Sequence, residues 1–205
     1  MPLLWDADAA QIEVYERAGL DPDEPAPMAD LARHLGIPVE MHRTPAFPED
    51  GALACVGGEW RIYLRVDVTP QRKKWACAHE IGEWSLRGTA SGQLECAANA
   101  IAAALIAPRR AFAVASRALG RTNFAGLAAA FTLSETAAAL RTGEALGAGL
   151  AVVQPGLVRT RGAQSVWPPA DTLRGWASSG PPLGVARHRL TDDARRVVLV
   201  GKAAA

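Results

Sequence analysis

The chain has 205 residues, 49% of them hydrophobic and 21% charged, with a formal net charge of +1. That length suits one domain with a sizeable core, or a domain with a small appendage, and the composition excludes a disordered chain. Near-zero net charge removes any global electrostatic case for nucleic acid, though not for a local basic patch. The three cysteines, Cys55, Cys77 and Cys96, are odd in number and lack a short-spaced pair, which fits a reducing cytoplasm rather than a disulfide framework. Met1 to Asp6 lacks the basic and apolar regions of a secretory signal. The longest apolar run, Ala97 to Pro108, is interrupted by Asn99 and too short to span a bilayer, so a cytoplasmic protein without a membrane partner is expected.

Helical spacing runs from Asp6 to Ala18, with Ile12, Tyr15 and Leu20 expected on one side. Three prolines and three acids between Asp21 and Pro27 read as a loop. Met28 to Leu35 predicts a short helix closed by Gly36, and Ile37 to His42 a strand. Pro45 to Gly51 reads as a turn. Leu53 to Val56 and Trp60 to Val66 flank Gly57-Gly58, a hairpin signal.

Thr69-Pro70 places a cap residue before a proline at the first helical position. The helix that follows runs to about Leu86, and Gly88 ends it. A second helix is predicted from Ser91 to near Pro108, and a third from Arg109 to Leu119. Phe124 to Ala130, then Thr132-Leu133-Ser134, then Glu135 to Leu146 give a helix-turn-helix-like pattern. Beyond Gly147, strands are expected at Val152-Val153 and Val158-Arg159 around Pro155-Gly156. Ala163 to Pro169 reads as a loop, Asp171 to Ala177 as a short helix, and Val185 to Leu190 with Arg195 to Val200 as a terminal hairpin.

The chemistry concentrates in two segments, Ala78-His79-Glu80-Ile81-Gly82-Glu83-Trp84 and Glu95-Cys96-Ala97-Ala98-Asn99. The first is a His-Glu-x-x-His zinc-peptidase pattern with glutamate at its fifth position. Residues four apart share a helix face, so His79 and Glu83 point the same way with Glu80 beside them. A short linker lets the next helix pack back and bring Glu95 to that face. Three ligands then converge, His79, Glu83 and Glu95, leaving Glu80 to take a proton from water as general base. Two carboxylates make a weaker, harder site than two histidines, so weaker zinc retention or a shift toward manganese is expected. The plainer alternative is a charged helix face.

These residues resemble the ImmA/IrrE family of metallopeptidases. Arg72-Lys73-Lys74-Trp75-Ala76-Cys77-Ala78-His79-Glu80-Ile81-Gly82 is similar to its metal-binding helix, and Glu95 to Pro108 to its second motif. Leu31-Ala32-Arg33-His34-Leu35-Gly36-Ile37-Pro38-Val39 looks like its lead-in, and the resemblance extends over about Met28 to Leu146. It implies a zinc-dependent endopeptidase acting on a partner protein such as a helix-turn-helix repressor. His79 would be the first ligand, Glu80 the base and Glu95 the third ligand, with Glu83 standing in for the second histidine.

Several further expectations follow. Gly82 should let a neighbouring strand approach the metal face, and Cys96 should be a small buried thiol. Trp75 and Trp84 should pack in the core. His34, His42 and His188 read as surface or capping residues, and Arg109, Arg110, Arg117 and Arg121 as a solvated face. A substrate segment would pair against the strand near Trp60 to Val66. The expected fold is α+β: a zincin-like helical core with a small antiparallel sheet at 1–118, a helix-turn-helix-like subdomain at 119–146, and a β-containing region at 147–205. Two rivals to the peptidase remain. One is a catalytically impaired regulatory module. The other is a DNA-binding regulator using Glu135, Thr136, Arg141 and Thr142, a poor set for reading base edges.

Overall fold

A computed structural model describes residues 6–43, 49–88, 94–146, 150–154, 157–161, 170–179, 185–190 and 197–201. The fold is α+β, and the chain divides into two compact units, residues 1–111 and 112–205.

The first unit begins with α1 (Ala7–Arg17), capped by the Asp6 carboxylate, which accepts from the backbone N–H groups of Asp8 and Ala9. Its inward face is Gln11, Val14, Tyr15 and Ala18, the 3–4 spacing of a helix. Ile12, expected inside, is 42% exposed because it lies off that stripe. Buried Gln11 is tolerated because its amide donates to the Pro22 carbonyl. α2 (Met28–His34) ends at Gly36, whose φ of +72° is the left-handed value that favours glycine.

Strands β1 (Val39–His42), β2 (Gly51–Val56) and β3 (Glu59–Arg65) form a sheet of order β1-β3-β2. Gly57 and Gly58 both take positive φ, as the tight β2–β3 hairpin requires. β2 pairs with β3 antiparallel, but β1 pairs with it parallel, so the small sheet is mixed. β3 is therefore central and both its edges are filled. The strand expected to receive a substrate has no free edge; among the described strands, β1 and β2 are the outer ones.

Helix α3 (Pro70–Ser85) starts as its sequence dictates, with Thr69 Oγ1 accepting from the Arg72 N–H at 3.3 Å. It lies against β2 and β3 and packs on α4 (Leu94–Ile106). Ser91, the expected start of that helix, lies outside the described residues, as do most of the expected 45–51 turn and the 163–169 loop. α4 is buried over most of its surface and is built largely of alanine, which lets neighbouring backbones close on it. Tyr15 ties this core together. Its hydroxyl donates to the Leu105 carbonyl at 2.9 Å, an orphan acceptor in the last helical turn, and accepts from the Ala26 N–H at 3.1 Å. Trp84 is buried, with the guanidinium of Arg87 3.8 Å from its ring centre and that of Arg17 at 5.3 Å. Trp75 is only half-buried.

Helix α5 (Arg109–Leu119) follows Pro108 and carries its arginines on the exposed side. In the second unit, α6 (Phe124–Phe131) and α7 (Glu135–Leu146) join through Thr132, a left-handed residue at φ 58°. Four strands follow: β4 (Leu150–Gln154), β5 (Leu157–Arg161), β6 (Val185–Arg189) and β7 (Val197–Gly201), with α8 (Ala170–Ser179) between β5 and β6. The sheet order is β5-β4-β7-β6, antiparallel throughout. Leu150 and Val152 of β4 pack with Phe124, Ala139 and Val198 on one face, and Ala151 and Val153 pack with Leu173 of α8 on the other. A strand buried on both faces accounts for the continuous apolar run at its start. His188 meets Phe124 edge-on. Among the described residues no single helix is long and apolar enough to cross a membrane.

Candidate metal centre

Three helical positions meet at one point. His79 and Glu83 stand one turn apart on α3, and Glu95 opens α4. His79 Nε2 lies 3.4 Å from a Glu83 oxygen and 3.6 Å from a Glu95 oxygen, and one ligand atom from each of the three falls within 4.8 Å of the others. These distances exceed a normal hydrogen bond. They match the ~3.4 Å separation of donors around a tetrahedral ion with bonds of about 2.1 Å. The donor set therefore fits a divalent cation, with one nitrogen and two carboxylates converging. Exposure of the side chains rises from 16% at His79 through 33% at Glu83 to 76% at Glu95, so the centre opens on the Glu95 side.

Glu80 projects differently. It is 6% exposed, and its carboxyl is pushed up to about 8, first by burial and then by the negative charges of Glu83, Glu49 and Glu95. A backbone hydrogen bond from Leu53 opposes the shift. A cation among these carboxylates would offset the repulsion and favour the ionised form. Cys77, one turn earlier, is a buried thiol pushed up to about 12 by burial and Glu80, which leaves it inert at neutral pH.

Two glycines set the spacing. A Cβ on Gly82 would sit 2.9 Å from the Ala98 carbonyl oxygen and 3.2 Å from its Cα. The element that Gly82 admits is thus helix α4, not a strand. The strand approach occurs at Gly51 instead, where a Cβ would lie 3.1 Å from a Glu80 carboxylate oxygen and from the Ala76 Cβ. Asp50 and Arg72 clamp the same junction, bridging β2 to the first turn of α3 at 2.6 and 2.9 Å. Sequence reasoning missed Glu49, Gly51 and Leu53 at the site. Gly51 closed a predicted turn, and only its place at the start of an apolar β run hinted otherwise.

Other candidates fall away from this point. The Nδ1 of His34 lies 3.2 Å from the carbonyl of Ala18 at the end of α1, a capping position, and His42 packs edge-on against Tyr63. Cys96, expected to be buried, is exposed, because the residue after Glu95 turns off the face that packs on α3. In α7, Glu135, Arg141 and Thr142 are buried, and the Arg141 side chain is 0% exposed. That helix offers no basic face to a DNA groove.

Residues 32–142, more than half of the chain, match the family model of peptidase M78, the IrrE N-terminal-like domain. A solved structure titled Mycobacterium tuberculosis transcriptional regulator is similar over 97% of this chain and 88% of its own length, with a TM-score of 0.62 and 15% identity, a likeness of fold. No curated protein matches the sequence.

Proposed function

The chain belongs to the IrrE N-terminal-like family of M78 peptidases, and from that premise we propose that it is a divalent-metal-dependent endopeptidase acting on a partner protein. The observation that carries the proposal is the convergence of His79, Glu83 and Glu95 beside a buried Glu80. His79, Glu83 and Glu95 would hold the ion, with residues 1–118 as the catalytic part, 119–146 as helical support and 147–205 as an accessory region. Zinc is the first candidate, and the two carboxylates make manganese a competitor. A bound cation supplies polarisation of the scissile carbonyl and of the attacking water.

The chain's own residues do the rest. Glu80 takes the proton of the attacking water and returns it to the leaving amide nitrogen. Its buried position keeps solvent from competing for that proton. The outer edge of β2 runs beside Glu80 and gives an extended substrate segment a strand to pair with, in place of the occupied edges of β3. A regulatory protein is the substrate class that fits the family and the regulator title of the solved structure.

Glu83 favours one other reading, a protein-binding module that keeps the fold and has lost catalysis. Metal analysis after purification in chelator-free buffer, paired with activity of Glu80→Gln, separates the two. One equivalent of metal and activity abolished in the variant support the enzyme. No metal, and no thermal stabilisation by added zinc or manganese, refutes it.

A further inference from the structure

We propose that strand β2 carries a seat for the Glu80 carboxylate, built from the missing side chain of Gly51 and the outward N–H of Leu53, and that these two are positioning residues for the general base. The proposal rests on the peptidase reading above and adds to it a part outside both sequence motifs.

The register fixes which way the strand's groups point. The Arg65 N–H donates to the Asp50 carbonyl at 3.0 Å, and Gly51 faces Leu64, Leu53 faces Ile62 and Cys55 faces Trp60. In an antiparallel pair, hydrogen-bonded positions alternate with positions whose N–H and C=O turn away. Asp50, Ala52 and Ala54 therefore bond to β3, while Gly51, Leu53 and Cys55 turn their backbone groups to the free edge. Leu53 alone among these has a partner of functional consequence, since its N–H donates to Glu80. One turn of strand away, Gly51 leaves room for the same carboxylate, because a Cβ there would stand 3.1 Å from its oxygen, with Ala76 at 3.1 Å and Leu64 at 3.2 Å closing the other directions. The Asp50–Arg72 clamp holds this stretch of β2 to α3. One carboxylate oxygen is thus fixed by the strand, leaving the other for a proton. The seat takes the Leu53 N–H and leaves the Leu53 carbonyl and the Cys55 backbone groups of this edge to an extended peptide, so one strand would set the position of both base and substrate.

Amide exchange on the metal-free protein tests the seat whether or not the chain is an enzyme. The Leu53 amide should exchange about tenfold or more slowly than that of Cys55 on the same edge. Glu80→Gln, which keeps an oxygen acceptor, should retain the protection, and Glu80→Ala should abolish it. Equal Leu53 exchange in wild type and Glu80→Ala overturns the proposal. A second arm uses zinc-loaded protein and β-casein as probe. Gly51→Ala should lower kcat at least about tenfold with unchanged zinc affinity, since a displaced base loses acid–base catalysis and not a ligand. Unchanged kcat, or zinc affinity falling in parallel, overturns the positioning role. If the wild type leaves casein intact, the peptidase reading fails on that probe and the exchange arm alone decides the seat.

Discussion

Replacing Gly82 with alanine adds one methyl group at the closest contact between the two metal-bearing helices. The new Cβ would lie 2.9 Å from the Ala98 carbonyl oxygen, 3.2 Å from its Cα and 3.5 Å from its carbonyl carbon. Backbone cannot rotate away as a side chain can, so the helices must part by roughly 0.5 Å to reach the 3.5 Å or more of ordinary contact. Such overpacking costs about 1–3 kcal/mol. Alanine's better helix propensity offsets about 1 kcal/mol of that. The net expectation is a loss of about 0–2 kcal/mol, read as a Tm lower by up to roughly 8 °C. Glu95 sits one turn before Ala98 on the helix that moves, whereas His79 and Glu83 stay on α3. Ligand distances tolerate only about 0.2 Å, so zinc affinity should fall at least about tenfold. Thermal melts of the metal-free protein and competitive zinc titration measure the two effects. An alanine variant clearly more stable than the wild type, with zinc affinity unchanged, would show that the helices are not in backbone contact there and would refute the reasoning.

Three other outcomes are expected. Glu83→His should tighten zinc binding by about 1.4 kcal/mol or more, a tenfold change, because imidazole suits zinc better and removes one negative charge; unchanged affinity in a chelator competition would remove Glu83 from the ligand set. Tyr15→Phe should cost about 1–3 kcal/mol in denaturant unfolding, since the Ala26 N–H and the Leu105 carbonyl lose a buried partner. In the metal-free protein the Glu80 carboxyl is raised from the ordinary 4.5 to about 8. A raised carboxyl keeps its proton in the folded state after the unfolded chain has released it. Its contribution to stability is therefore complete below the lower value and lost as pH climbs through the upper one, by a few kcal/mol at most. Melts in chelator across that window should show the decline, and Glu80→Gln should flatten it. An equal decline in the variant would assign it to other groups.

Local signals carried most of the fold. Gly57-Gly58, Thr69-Pro70 and Pro108 each act on the backbone beside them, so the hairpin, the start of α3 and the end of α4 could be read directly. The His79–Glu83 pair needed only helix geometry, and Glu95 only a short linker. What escaped depends on contacts far apart in sequence. Nothing near Ile12 says that the buried stripe passes through Gln11, and nothing near Cys96 says which side of α4 meets solvent. Gly82 advertised a close approach without naming the partner, because a glycine records the clearance and not what fills it. Gly51 and Leu53 carry no polar side chain, so their place beside Glu80 appears only once β2 is seen at the sheet's edge.

The order of strands in the second sheet bears on how the chain is made. β7, the last described strand, is inserted between β4 and β6. During synthesis β4 leaves the ribosome with β5 on one side and nothing on the other, until residues 197–201 emerge more than forty positions later. For that interval the unit presents an apolar raw edge open to pairing with other chains. The helices that carry His79, Glu83 and Glu95 are complete by Ile106 and do not wait for it. Deleting residues 197–201 should accordingly leave the metal-bearing helices intact while exposing β4, so that the shortened protein still takes up metal but aggregates.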